Sequence, residues 1–345
     1  MVASSEVIAW LLEEDNPPVR YLTLTNLLRR SLRSAEVRRA KAQIMEYGPT
    51  QKILAHGSEF WDAPKERAYW KYTGKYWQVI FLGQFLADGR DRRIAEGVKD
   101  LIARRDWVMS SGGQCLTANL LGAFMQLGFG EDAVVHAETE ALARRVLADN
   151  GLRCSAMAYS LLSRCYMAQP KLLLCFSRIP AERRSSEVKA AIDLLVRNLL
   201  DHEVFVYVPG RLKEWQELLA SQPKKADLPR GKTVLSWVAE QRGLFLRKRG
   251  LGERRPKAGW HKFGFPLHYN SDTLEAMYAL ACLGIPLHPR LAKALEVVRS
   301  KMTPAGTWIL ENSLNGKMLA DVEEKGRPSK WLTYFGHLVL EHFTQ

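Results

Sequence analysis

Several segments of helix length in this chain are apolar on nearly every face, and each is followed by a turn and then by an amphipathic helix. That alternation limits the folds open to it. The clearest copy is Gly112-Gly-Gln-Cys-Leu-Thr-Ala-Asn-Leu-Leu-Gly-Ala-Phe-Met-Gln-Leu-Gly128, with Phe129-Gly130 beyond it as a stop. A helix that is hydrophobic all round belongs inside a large core, and glycine after the last apolar turn is a usual C-terminal signal. Segment 133–147 then reads as its amphipathic partner.

The same pair recurs along the chain. Residues 78–86 are apolar and entered by Tyr69-Trp-Lys-Tyr-Thr-Gly-Lys-Tyr-Trp77, and 92–104 carries Ile94, Val98, Leu101 and Ile102 at helical spacing. Residues 165–177 lead to 186–200, where Val188, Ile192, Leu195 and Leu199 form one stripe. Residues 269–284 lead through prolines to 291–302, and 330–343 is a last apolar copy without a partner. Near the start, Asn16 caps a helix opening at Pro17. Such hairpins cannot bury their own apolar faces and must stack on neighbours. An open solenoid would leave each apolar helix exposed along one side, whereas a ring buries it. The expectation is an all-α chain, an α/α toroid of about five or six hairpins with apolar helices inside, forming a single domain over 1–345.

Residues 201–262 break the pattern and read as an insertion. Segment 211–262 holds fourteen Lys and Arg against five Asp and Glu, nine of the thirteen excess positive charges in the chain. Two readings stand: a solvated loop region, or an anion-gathering flap over the mouth of the cavity. The basic face also admits a second class of function, a non-catalytic scaffold that binds nucleic acid or protein through this insertion. Five unclustered cysteines argue against a disulfide framework. No apolar run reaches the ~18 residues of a membrane span, and a soluble, cytoplasmic protein is expected.

Pro18-Val-Arg-Tyr-Leu-Thr-Leu, Cys115-Leu-Thr-Ala-Asn, Ser163-Arg-Cys165, Ile179-Pro-Ala-Glu-Arg-Arg-Ser-Ser-Glu-Val188, Phe263-Gly-Phe-Pro-Leu-His-Tyr-Asn-Ser-Asp272, Gly306-Thr-Trp308 and Arg327-Pro-Ser-Lys-Trp331 span most of the chain. In these pieces it resembles the α/α-toroid terpene cyclase and protein prenyltransferase superfamily, and within it the small bacterial prenyltransferase-like, or squalene-cyclase-like, proteins. The resemblance implies a central cavity for an isoprenoid or another apolar or phosphorylated ligand, and lyase or transferase chemistry if the protein is an enzyme. The acidic Asp-x-Asp-Asp tetrad of class II cyclases is missing, since Asp88-Gly-Arg-Asp91 has turn spacing. Squalene-cyclase chemistry is therefore not expected.

If inner helices share a direction, their first residues gather at one end. Cys115, Cys154, Cys165 and His268 then form a candidate Zn²⁺ set, in a part of the fold where protein prenyltransferases hold zinc through Asp, Cys and His; the local motif of those enzymes is not reproduced. The plainer reading is ordinary buried thiols. Asp272, on the first turn of an apolar helix, is the candidate general acid or base, or simply a helix cap. Trp70, Tyr76, Trp77, Tyr269 and Trp331 either line an apolar pocket or fill the core. Arg20 and Lys330, with Lys71 and Lys75, stand at helix entries where a diphosphate would be paired.

Overall fold

The computed structural model describes residues 3–57, 61, 64–108, 113–151, 154, 157–161, 165–207, 212–249 and 254–344. The chain is all-α, with two short antiparallel pairs, Val206–Tyr207 with Arg255–Pro256 and Trp308–Ile309 with Pro328–Ser329. The apolar segments become the inner helices Pro17–Leu22, Lys75–Gln84, Gln114–Phe124, Ala168–Ser177, Thr273–Cys282 and Lys330–Phe343. Their burial is nearly complete: every residue from Lys75 to Gly83 and from Ala168 to Phe176 is buried.

Boundaries follow local chemistry. Gln114–Phe124 widens into a π turn over Met125–Phe129 and stops at Gly128, whose φ of +93° suits glycine. The fourth inner segment begins at Ala168 and not at Cys165, which puts Pro170 in the first turn, where its missing N–H forfeits no helical bond. The amphipathic segments form Arg92–Arg104, Ala133–Ala148, Ser186–Asp201 and Ala292–Ser300, each with only its inward stripe buried.

The inner helices pack on one another in chain order, from Lys75–Gln84 through Gln114–Phe124, Ala168–Ser177 and Thr273–Cys282 to Lys330–Phe343, which returns to pack on Pro17–Leu22. Gly48–Leu54 also packs on Lys75–Gln84. Gly83 allows one close approach, because a methyl there would stand 2.7 Å from the Ala123 Cα. One hydrophobic cluster runs through all these helices, whereas Leu161, Trp215 and Val238 form a separate small cluster under Lys213–Ala220 and Val234–Arg249. The insertion is pinched at its base by the Val206–Tyr207 pair. Among the described residues, no helix is long and apolar enough to cross a membrane.

Among the described residues, aromatic and polar side chains occupy much of the space between the inner helices. Trp331 stacks on Phe265 at 4.1 Å, and long polar side chains fill much of the rest, leaving openings of about 30 and 40 Å³. Trp308, in the Gly306-Thr-Trp308 piece, is a packing residue: its indole donates to the Val298 carbonyl at 2.9 Å and lies against Gly336 and His337.

A methyl group at position 336 would meet the Trp308 ring at 2.8 Å. Gly336→Ala should therefore destabilise the fold by about 1–3 kcal/mol through overpacking, despite the gain in helix propensity. Urea unfolding checks this, and a neutral or stabilised variant would show that Trp308 is free to move.

Candidate functional site

The inner helices run in one direction, and their N-terminal ends bring together residues distant in sequence. Gly113, at a φ of +73°, leads into Gln114 and Cys115. The Cys165 thiol donates to the Cys154 sulfur, and Cys115 lies within electrostatic reach of both. Burial first, then the neighbouring Cys154, pushes the Cys115 thiol up to about 11, and the Cys154 bond together with burial raises Cys165 further. All five cysteines are free thiols, and Cys175 and Cys282 sit apart within their helices. The His268 ring lies against Tyr72 at 5.6 Å. Among the described residues, no three His, Cys, Asp or Glu side chains stand together as metal ligands.

Beside the thiols lies a fully buried ion pair between two neighbouring inner helices. Lys171 Nζ donates to both carboxylate oxygens of Glu275, reaching Oε2 at 2.5 Å, and both side chains are essentially inaccessible. Burial pushes the Glu275 carboxyl up, and the Lys171 charge pulls it back. Neither residue stood out among the candidates above, although each is the lone charge in an otherwise apolar segment, Ala168-Gln-Pro-Lys-Leu-Leu-Leu and Leu274-Glu-Ala-Met. That is a readable signal, because a buried charge needs a partner.

Asp272 is the N-cap of Thr273–Cys282, as the plainer reading expected. Its Oδ1 accepts the Glu275 N–H at 2.8 Å and its Oδ2 the Gly264 N–H at 3.0 Å. Burial and the Glu275 charge still raise its carboxyl to about 7, against the pull of those amides and Lys171. Asp272 and His268 border a cavity of about 270 Å³ whose wall includes Lys257, Trp260, Lys262 and Asn312. Burial, then the charges of Lys171, Lys71 and Lys317, press the His268 imidazole down to about 3, so it is neutral at physiological pH. The Trp260 indole N–H is buried without a hydrogen-bond partner. Thus the end of the insertion, 257–262, forms part of the cavity wall. Lys224, Lys225, Arg230, Arg247 and Lys248 of the insertion are exposed.

Trp77 and Tyr269 join this site. Their rings meet edge to face at 4.8 Å, Tyr72 packs on Trp77 at 4.8 Å, and the Tyr269 hydroxyl faces that of Tyr69 at 3.2 Å. Lys71 Nζ lies 5.7 Å from the centre of the Tyr269 ring, and Trp70 is exposed nearby in sequence. The other candidates are engaged elsewhere. Tyr76 donates to Asp106 at 2.7 Å, Arg20 pairs with Glu14 at 2.8 Å, Lys75 with Asp100 at 2.6 Å, and Lys330 with Glu13 at 2.7 Å and with Asp15. Trp331 is buried in the aromatic stack on the axis. These entry cations have acidic partners 6, 25 and more than 300 residues away in the chain, a pairing that helical periodicity does not reveal.

Comparison of the chain with protein-family models, with curated proteins and with solved structures gives no match in any of the three.

The two perturbed groups bordering the cavity tilt stability in opposite directions. Asp272 holds its proton to about 7 in the fold but only to ~3.9 when unfolded, so its contribution is lost as pH rises across that interval. His268 stays neutral to about 3 in the fold but takes up a proton near ~6.5 when unfolded, so stability is lost as pH falls. Between about pH 4 and 6.5 the slopes oppose. Asp272→Asn should leave a profile that rises with pH there, and His268→Gln one that falls, by up to ~1.4 kcal/mol per unit. Parental profiles in both variants, by urea titration at several pH values, would refute these ionisation states.

Proposed function

We propose that the protein is a ligand-binding α/α toroid of the terpene cyclase and protein prenyltransferase type, whose ligand has a phosphate-like head and an apolar body. The observation that carries this reading is the cavity at the N-terminal end of Thr273–Cys282. It is lined by Lys257, Trp260 and Lys262 and lies beside the first turn of Thr273–Cys282. Lys71, Lys171 and Lys317 add positive charge around His268. Helix N-termini and lysine ammonium groups both favour anions. At about 270 Å³ the space suits a headgroup and not a whole isoprenoid. The apolar body would lie over the aromatic entry formed by Tyr69, Tyr72, Trp77 and Tyr269. If the protein is a lyase or transferase, Asp272 is the acid, because a carboxyl that keeps its proton to near neutrality is matched to proton transfer.

Zinc belongs to this reading only through Cys115, Cys154 and Cys165, whose sulfurs are the right donors for a soft cation once deprotonated.

Isothermal titration of inorganic pyrophosphate and of a C15 prenyl diphosphate tests the reading. Both should bind, the prenyl form more tightly, and Lys257→Gln and Lys262→Gln should each weaken binding by about tenfold or more. Silence with both ligands, or unchanged affinity in both variants, removes it. Separately, elemental analysis should find about one zinc per chain, lost in a Cys115→Ala, Cys165→Ala double variant; metal-free wild-type protein would make the three thiols packing residues.

A further inference from the structure

An open recess of about 360 Å³ lies at the C-terminal ends of Ala168–Ser177, Thr273–Cys282 and Lys330–Phe343. Most of its polar lining is already spent. Asn26 Nδ2 donates to the Tyr334 hydroxyl at 2.6 Å, Ser177 Oγ to the Leu174 carbonyl at 2.8 Å, and His342 Nε2 to the Ile285 carbonyl at 2.8 Å. Arg29 and Glu341 hold each other at 2.7 Å.

Arg178 is the exception. It directly follows Ala168–Ser177, borders the recess and is only partly buried. Among the described residues its guanidinium pairs with no carboxylate and donates to no backbone carbonyl; its polar neighbours are the Tyr278 and Tyr334 hydroxyls and the Cys282 thiol. A guanidinium carries five N–H donors in a planar fork, and neutral hydroxyls and a thiol leave its charge unanswered. An arginine at a helix end commonly serves the free carbonyls there, yet this one takes none of them.

The charges around the recess also select the ligand. Arg29 cancels Glu341, which leaves the single positive charge of Arg178. The carbonyl ends of three helices add partial negative charge on the same side. One negative charge is therefore matched and a second is resisted, which favours a monoanion over a phosphate dianion. The flat fork of a guanidinium fits the two oxygens of a carboxylate, and Ala281 and Leu338 supply apolar wall beside it.

We propose that this recess binds a small monocarboxylate with a short apolar or aromatic substituent, its two oxygens on Arg178 and its substituent against Ala281 and Leu338. The volume falls in the lower range of small-molecule sites. This site lies at the opposite end of the inner helices from the lysine-lined cavity and does not depend on the ligand proposed there.

The test is titration of the full chain with benzoate, with its neutral isostere benzamide, and with inorganic phosphate, at constant ionic strength so that general screening cancels. Benzoate should bind with a Kd of about 1 mM and benzamide at least tenfold more weakly. Arg178→Gln should weaken benzoate by about tenfold or more. Ala281→Leu fills the recess while keeping the guanidinium, and it should do the same if Arg178→Gln fails to fold. Equal binding of benzoate and benzamide, or parental benzoate affinity in Ala281→Leu, overturns the proposal. Phosphate that displaces benzoate at lower concentration than benzoate itself binds overturns the choice of a monoanion. Anomalous scattering from a crystal soaked in para-bromobenzoate locates the ligand: a bromine peak in the recess beside Arg178 is expected, and a peak confined to the lysine-lined cavity refutes the site.

Discussion

The buried pair of Lys171 and Glu275 is the constraint around which the rest of the molecule is arranged. Two charges withdrawn from water are tolerable only when they meet, and removing one partner of such a pair typically costs about 3–5 kcal/mol. The pair therefore fixes the register of Ala168–Ser177 against Thr273–Cys282 along the helix axis, which apolar contacts between leucines and alanines would leave loosely specified. Once that register is set, Asp272 stands above Glu275 as the cap, Met167 accepts the Ser271 hydroxyl at 2.8 Å, and the cysteines and His268 come to the same end.

The electrostatics of that end follow from the same arrangement. Glu275 is neutralised by Lys171, and Asp272 is kept largely protonated by burial and by Glu275 itself. The surrounding lysines then have little carboxylate to answer them. A basin of positive potential at helix N-termini is the consequence, and it reaches the cavity wall contributed by 257–262. The aromatic entry sits beside it because Trp77 and Tyr269 open adjacent parts of the same layer and pack edge to face. The opposite end has a different character. There the helix C-termini, Arg178 and the Arg29–Glu341 pair meet an open recess.

Much of the architecture is legible in the residues. The apolar runs become inner helices and the striped runs outer ones because burial on all sides demands apolar residues on all sides, while burial on one side demands only a stripe. Gly128, Asn16 and Asp272 mark helix ends for local reasons of backbone freedom and capping. Convergence of Cys115, Cys154 and Cys165 also follows from parallel inner helices. Arg20, Lys75 and Lys330 are a different case. Their positions at helix entries suggest ligand contacts, yet Glu14, Asp100, Glu13 and Asp15 take them up, and pairing of that kind depends on how loops fold back.

By itself, then, the sequence determined the all-α class and which helices are buried on all sides or on one stripe, since both depend on hydrophobic periodicity and local capping. Only the tertiary structure decided which charges were already spent, that the Trp331–Phe265 stack and polar side chains occupy much of the axis, and that the Trp260 N–H is buried without a hydrogen-bond partner. Those outcomes turn on distances between residues on different elements, from Arg20 and Glu14 to Lys330 and Glu13, and periodicity says nothing about such distances.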